Sequence, residues 1–261
     1  MRGQGTSQRH IYRRDIDALA VPVPPLPEQC AIAETLEDVE ALLGALTWLI
    51  VKKRDLKQAI MQGFLTGQMR LPGFSEAWGM KRLGDIVSVN MGQSPGSRHY
   101  NRTGHGIPLI QGNADIEARK SVRRVWTSQV TKECDEGDVL LTVRAPVGAV
   151  GLASERSCLG RGVCSLTPLA VVKEFLFDAL VLAEGRWKTL EQGSTFTSAN
   201  STQVASFSIP LPPSKAEQIA VAAALSDMDA EIEALERGLA KTLDLKRGMM
   251  QELLSGRTRL V

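Results

Sequence analysis

Apolar residues recur in two stretches of the chain with the alternating spacing of four and three residues that is typical of coiled-coil helices. They lie at Ile32, Leu36, Val39, Leu43, Leu46 and Ile50, and again at Val221, Leu225, Met228, Ile232, Leu235 and Leu239. In the first stretch the pattern is broken at Lys53 and Lys57 and resumes at Ile60. Each stretch follows a Pro-rich segment and ends at a glycine, Gly67 or Gly256, so each predicts a long helix, roughly 58 Å in length.

The two stretches are copies of one repeat. Residues 28–71 align without a gap on residues 217–260, with 19 of 44 positions identical. A helix with a narrow apolar stripe must bury that stripe against another helix, and each helix has its equal in the same chain. The pattern therefore predicts that the two helices pair with each other.

The order of charges along the repeats predicts the direction of pairing. In both copies acidic residues precede basic ones. The acidic residues of the first copy lie within 28–40 and its basic residues mainly within 52–57, while those of the second copy lie within 227–236 and mainly within 237–247. An antiparallel pair places the acidic half of each helix against the basic half of the other, whereas a parallel pair places like charges together. The alternative is that these charges only solvate exposed helix faces.

The segment between the helices has a different pattern. Short apolar runs, such as residues 86–89, 107–110, 139–143 and 147–152, are separated by Gly, Pro, Ser and Asn, which is typical of β-strands and turns. A more helical patch follows at residues 172–190. The predicted fold class is α+β, with one mixed α/β domain between two long helices that pair as an antiparallel coiled coil.

Charge at first argues against nucleic acid, because 31 Lys and Arg residues face 29 Asp and Glu residues in a chain of 261, a formal net charge of +2. The distribution changes that picture. Residues 72–132 carry nine bases against four acids, a net charge of +5, whereas residues 133–206 carry a net charge of −3. One part of the central segment is therefore basic enough to approach phosphate.

The candidates for DNA contact are chosen by the chemistry of their loops. Arg forms bidentate hydrogen bonds with guanine, Asn and Gln pair with adenine, and hydroxyl groups bind phosphate. The candidates are Gln93, Ser94, Arg98, Tyr100, Arg102, Arg119, Lys120, Arg123, Arg124, Thr195, Thr197, Ser198 and Asn200. A solvated polar loop is the alternative for these residues, and Arg144 and Arg161, which lie among apolar residues, are expected to be structural.

No catalytic or metal-binding pattern is intact. The sequence Gly92-Gln93-Ser94-Pro95-Gly96 fits the hydrolase elbow, but Pro95 has no N–H to donate to an oxyanion. The four cysteines and three histidines lack zinc spacing, so reduced thiols and no metal are expected. The longest apolar stretch, residues 41–51, is too short for a bilayer, and together with the lack of a signal peptide this predicts a cytoplasmic protein without a membrane partner.

Several short motifs, taken in order, resemble the specificity subunit of type I restriction-modification systems. They are Pro24-Pro25-Leu26-Pro27-Glu28-Gln29, Leu83-Gly84-Asp85-Ile86, Gly137-Asp138-Val139-Leu140, Val143-Arg144-Ala145-Pro146-Val147-Gly148, Gly160-Arg161-Gly162 and Pro210-Leu211-Pro212-Pro213 with Glu217-Gln218. The resemblance implies target-recognition domains that each recognise one half of a split double-stranded DNA site. It also implies antiparallel helices that separate these domains and bind methyltransferase subunits.

The resemblance divides the chain into four parts. Residues 1–27 are expected to be the C-terminal remnant of a first target-recognition domain, residues 28–71 the first long helix, residues 72–206 a complete target-recognition domain, and residues 207–261 a Pro-rich entry with the second long helix. Natural truncation, gene rearrangement and an engineered fragment are all compatible with such a remnant. Two chains that associate through their helices would restore two recognition domains.

The leading hypothesis is thus a non-catalytic DNA-recognition subunit. Its expected partners are DNA, the adenine methyltransferase (modification) subunit and, through it, the restriction/translocase subunit. No cofactor is expected in this chain, while S-adenosylmethionine is expected on the methyltransferase. The alternative is a coiled-coil adaptor, a decoy or remnant that binds methyltransferase subunits without recognising DNA.

Overall fold

A computed structural model describes residues 22–187 and 198–260. The chain divides into two compact units. One consists of the residues up to Lys53 and those from Glu231 onward, and the other runs from Arg54 to Ala230. We call them the helical unit and the globular unit, and each is described by itself.

Two helices of 40 residues each dominate the described chain: α1 at Leu26–Leu65 and α5 at Lys215–Leu254. Each follows a Pro-rich segment. Proline has no N–H to donate, so it interrupts any earlier strand or helix but is tolerated in the first turn of a helix. Each ends just before a glycine with positive φ, Gly67 at 74° and Gly256 at 70°. The prediction of two long helices that pack together within an α+β fold is confirmed.

In the helical unit the two helices pair antiparallel. Ile32, Leu43 and Ile50 from α1 are buried, as are Ile232 and Leu253 from α5. Ion pairs then fix the direction of the two helices: Glu28 binds Arg259 at 2.5 Å, Glu40 binds Lys246, and Lys53 binds Glu231 at 2.6 Å. Because partners early in α1 lie late in α5, the charge-order prediction of antiparallel pairing is confirmed in this unit.

The globular unit repeats two of these ion pairs at equivalent positions of the repeat. Arg70 binds Glu217 at 2.6 Å, as Arg259 binds Glu28. Lys57 binds Asp229 at 2.5 Å, just as Lys246 binds Glu40.

The two lysines that interrupt the apolar pattern of α1 are each paired with an acid of α5 inside their own unit. Lys53 and Lys57, where the apolar pattern is interrupted, keep the spacing of three and four residues between Ile50 and Ile60, and both are only partly exposed. Each ammonium group reaches an acid on α5, Glu231 or Asp229. A long side chain can pack its stem against a neighbouring helix while its charge finds a partner, so each lysine is compatible with helix pairing in its own unit.

Three β-sheets form the rest of the globular unit. Their strands are β1 Gly79–Arg82, β2 Val87–Met91, β3 Tyr100–Asn101, β4 Ile107–Ile110, β5 Ile116–Glu117, β6 Lys120–Ser121, β7 Trp126–Thr127, β8 Glu133–Cys134, β9 Val139–Thr142, β10 Val150–Leu152, β11 Ser157–Leu159, β12 Val163–Pro168 and β13 Ser208–Leu211. The short helices α2 Leu83–Ile86, α3 Lys173–Leu182 and α4 Ser201–Ser206 connect or cover them.

The strand order is β2-β12-β9-β10-β6-β5 in the largest sheet, β3-β7-β4-β11-β8 in the second, and β1-β13 in the third. Most neighbours are antiparallel, but β11 with β4 and β10 with β6 are parallel. Strand β9 is buried along its whole length because sheet neighbours flank it on both sides and it is apolar on both faces.

The main core of the globular unit joins the largest sheet, α3 and the adjoining ends of the long helices. Phe175, Leu176 and Leu180 of α3 are fully buried in it, and so are Leu65 of α1 and Leu225 of α5. The stacked rings of Trp187 and Phe207, 4.0 Å between centroids, extend it.

All four cysteines are free, and three of them are buried. Burial raises the pKa of Cys134 and of Cys164 to about 12, so both thiols stay protonated at neutral pH. Across residues 22–187 and 198–260, none of the helices combines the length and apolar character that a membrane span requires.

Candidate nucleic-acid interface

The first group of predicted residues lies in the segment that follows β2. Hydrogen bonds hold this segment in place: the Tyr100 hydroxyl donates to the Pro95 carbonyl at 3.0 Å, and the Gly96 N–H donates to the Gln129 side chain at 3.2 Å. Arg98 and Arg102 are exposed. The guanidinium of Arg98 contacts only the ring of His99, at 3.0 Å, and neither arginine forms an ion pair within the described part of the chain.

Arg119 occupies a tight hairpin turn between β5 and β6. It and Ala118 have positive φ, 66° and 45°, a conformation that residues other than glycine adopt only at a cost in free energy. The Arg119 side chain forms a bidentate ion pair with Glu184, and it also donates to the Val150 carbonyl at 3.2 Å. These contacts tie the turn to the sheet, whereas the adjacent Lys120 is exposed.

Arg123 and Arg124 are also engaged. Arg123 binds both carboxylate oxygens of Glu155, at 2.5 and 2.9 Å, and this hydrogen bonding raises the pKa of its guanidinium. Arg124 donates to the Ala114 carbonyl at 2.8 Å. Contact of either arginine with phosphate would therefore compete with a partner inside the protein.

The uncharged candidates divide in a similar way. Asn200 caps α4: its side chain accepts from the Gln203 N–H at 2.9 Å, and the Gln203 side chain accepts from the Asn200 N–H at 2.9 Å. Ser198 is exposed and forms a β-bridge with Arg144. Thr195 and Thr197 lie outside the described residues.

Arg144 and Arg161, for which the sequence predicts a structural role, are both exposed. Arg144 follows β9, and Arg161 precedes β12, which is the antiparallel neighbour of β9. The Val143 N–H donates to the Gly162 carbonyl at 2.8 Å, so the two arginines flank the last bond between these strands. Neither guanidinium has an ion-pair partner among residues 22–187 and 198–260.

Two predicted residues lie beside this pair. The Arg161 N–H donates to the Ser94 hydroxyl at 3.0 Å, and Ser198 bridges Arg144. Gln93 is exposed and precedes Ser94. We call Ser94, Arg144, Arg161 and Ser198 the arginine edge. The sequence signal that could have found it is an arginine in a Gly- or Pro-rich turn between two buried strands.

Residues 75–244 match the family model of the type I restriction modification DNA specificity domain. This chain belongs to that family. Across 98% of its length it is also 31% identical to a protein of Methanocaldococcus jannaschii described as the specificity subunit of type I restriction enzyme MjaX, and it covers 63% of that protein. The MjaIX specificity subunit of the same organism is 31% identical over 60% of the chain, and 39% of that subunit is covered.

Solved structures agree with the specificity family. The HsdS subunit from Thermoanaerobacter tengcongensis is 29% identical with a TM-score of 0.64, and the match covers 98% of this chain and 65% of that one. A chain from a study of complex assembly and conformational transition in the type I R-M system is 30% identical with a TM-score of 0.69, covering 97% and 66%. The S subunit from M. genitalium, 16% identical with a TM-score of 0.62, shares the fold.

The chain therefore spans less than two thirds of the curated specificity subunits that it matches. Within the described residues, no group of three or more His, Cys, Asp or Glu side chains is arranged to hold a metal ion.

Proposed function

We propose that this specificity-family chain is a DNA-recognition subunit in which residues 72–206 recognise one half of a split DNA site. The observation that carries the proposal is the family match over residues 75–244. Exposed cations in the same unit support it, since Arg98, Arg102 and Lys120 form no ion pair with any residue that the structure describes and can approach phosphate. The chain itself performs no catalysis.

The long helices are proposed to bind the adenine methyltransferase subunits, which carry S-adenosylmethionine, and through them the restriction/translocase subunit. A helix pair can bury the apolar faces that meet between the two helices and still leave its outer faces free to bind another protein. The outer face of α1 includes Trp48, which is 63% exposed.

Selection from a randomised duplex library tests DNA recognition. The full chain, alone and with the methyltransferase, should enrich duplexes that share a short motif. Failure to enrich any sequence in either condition would overturn the proposed function.

A double variant separates the DNA-recognition subunit from the adaptor. Arg98→Ala with Arg102→Ala should weaken DNA binding and flatten its dependence on salt, because phosphate contacts release counterions. Methyltransferase binding, measured by co-purification, should stay at the wild-type level. Methyltransferase binding by a wild-type chain that binds no DNA favours the adaptor, whereas unchanged DNA affinity of the variant shows only that Arg98 and Arg102 are not contacts.

Association of two chains through their helices would supply two recognition domains and predicts a palindromic split site. Light scattering should then give the mass of a dimer, with or without the methyltransferase. A strict monomer in both conditions contradicts this part of the proposal.

A further inference from the structure

We propose that Arg144 and Arg161 bind the phosphate backbone of DNA, an assignment that rests on the proposed function and names two contact residues for it. The pair belongs to the arginine edge, where loops from three parts of the chain meet: Ser94 after β2, Arg144 after β9 and Arg161 before β12.

The first argument is electrostatic. Several exposed arginines of the globular unit have a carboxylate partner: Arg119 binds Glu184, Arg123 binds Glu155, and Arg156 binds Glu133 at 2.6 Å. Arg144 and Arg161, like Arg98 and Arg102, have no ion pair in the described ranges. The bond from the Val143 N–H to the Gly162 carbonyl holds the backbones next to the two arginines together, and like charges on neighbouring strands repel each other, so binding of an anion would relieve a cost in stability.

The second argument is that the backbone on either side of Arg161 is closely packed. A Cβ atom on Gly162 would lie 2.1 Å from the Gln111 carbonyl oxygen, and one on Gly92 would lie 2.1 Å from the Gly160 carbonyl oxygen. Only glycine permits this close approach of three backbone segments. The turn that carries Arg161 is therefore fixed before DNA binds, which lowers the entropy lost on contact.

The third argument is that the neighbours of the pair suit a phosphodiester. Ser94 and Ser198 supply hydroxyl groups, which bind phosphate oxygens without adding negative charge. Gln93 and Gln111 are exposed nearby and could reach base edges while the arginines bind the backbone. The pair thus supplies affinity, and its neutral neighbours are placed to supply specificity.

The test uses the full chain and duplex DNA selected by the wild-type protein. Arg144→Ala and Arg161→Ala should each weaken binding by about tenfold and should each reduce the slope of log affinity against log salt by about one. The matched control is Arg156→Ala, which removes an arginine that is also exposed but bound to Glu133. The control should retain the wild-type slope.

Two further measurements identify the role of the pair. Selection with the double variant should return the same DNA motif at lower affinity, because phosphate contacts carry no sequence information; a changed motif overturns the assignment to phosphate. The thermal midpoint of the free double variant should equal or exceed that of the wild type. A midpoint several degrees lower shows a structural role and overturns the proposal.

The outcomes separate the two levels of the proposal. If the wild type selects a motif and the double variant binds it with unchanged affinity and slope, the arginine pair is refuted and the proposed function stands. If the wild type selects no motif, the proposed function is refuted, and the assignment of Arg144 and Arg161 to DNA is refuted with it.

Discussion

The two copies of the helix repeat bear the same residues in different surroundings. Gln29 and Gln218 occupy equivalent positions, and each donates to the carbonyl of a preceding proline, at 2.8 Å to Pro24 and at 2.9 Å to Pro212. Gln29 is exposed, whereas Gln218 is only 1% exposed and also accepts from the Val172 N–H in the globular unit.

The apolar positions of the repeat differ in the same way. Leu65 of α1 is 1% exposed and packs in the core of the globular unit, whereas the equivalent Leu254 of α5 is 52% exposed. Leu225 is fully buried, but the equivalent Leu36 lines a cavity of about 510 Å³ in the helical unit. The repeat therefore encodes the helix and its ion pairs, while the neighbouring chain decides how deeply each copy is buried.

Leucine truncation should expose that difference most clearly. Leu225→Ala should lower the free energy of unfolding by about 3 kcal/mol, because it leaves a cavity in a packed core. The matched change Leu36→Ala should cost less than about 1 kcal/mol, since this side chain borders an existing cavity. Urea unfolding followed by circular dichroism measures both, and equal costs would show that the two copies are buried alike.

Breaking the terminal ion pair should give the next largest difference. Arg70→Ala leaves the carboxylate of Glu217, which is 1% exposed, without its partner and should cost about 2 kcal/mol. Glu28 is also buried, but Arg259→Ala should cost less, because the Arg259 side chain is 56% exposed whereas that of Arg70 is 24% exposed. A larger cost for Arg259→Ala would reverse the comparison.

The same ion pair predicts a dependence on pH. The hydrogen bonds from Arg259 lower the pKa of Glu28 below its usual 4.5, so the stabilisation is present above that value and is lost as the pH falls through the lowered pKa. The stability difference between wild type and Arg259→Ala should therefore disappear in acid. A difference that is constant down to pH 2 would contradict the ionic origin.

The pKa of Asp178 is shifted in the opposite direction to that of Glu28, so its dependence on pH has the opposite sign. In the globular unit it lies near Lys57 and Asp229, and burial raises its pKa to about 6, although Lys57 opposes the rise. Because the folded-state pKa lies above the unfolded one, Asp178 favours folding below about pH 4, and this contribution is lost as the pH rises through about 6. Asp178→Asn should thus stabilise the protein at pH 8, by about 2 kcal/mol.

The measurement for Asp178→Asn is urea unfolding at pH 4.5 and at pH 8. The gain should shrink toward the acidic end, where the wild-type carboxyl is already protonated in the folded state. Loss of stability at pH 8 would show instead that the ionised carboxylate is held by Lys57. The comparison site is the pair of Lys246 with Glu40 in the helical unit, which is equivalent to the pair of Lys57 with Asp229. The variant Lys246→Met should show no such rise in stability between the two pH values.

The helices could be predicted from the sequence because their signals are local. Apolar spacing, proline entry and glycine exit all lie within the helices or next to them, and the order of charge in the repeat was sufficient to predict antiparallel pairing. The strands at β2, β4 and β9 were also predicted from short apolar runs. The parallel pairing of β11 with β4 was not, since it joins residues about 50 positions apart.

The candidate interface shows the same limit. The sequence by itself determined that this chain has two matched helices, a basic β-rich segment between them and arginines in its loops. Only the tertiary structure decided that Glu155 and Glu184 neutralise Arg123 and Arg119, and that Arg144 and Arg161 lie at the ends of neighbouring strands without a carboxylate partner among the described residues. The reason is physical: helix formation depends on neighbours along the chain, whereas the charge that an arginine presents depends on which distant segments fold against it.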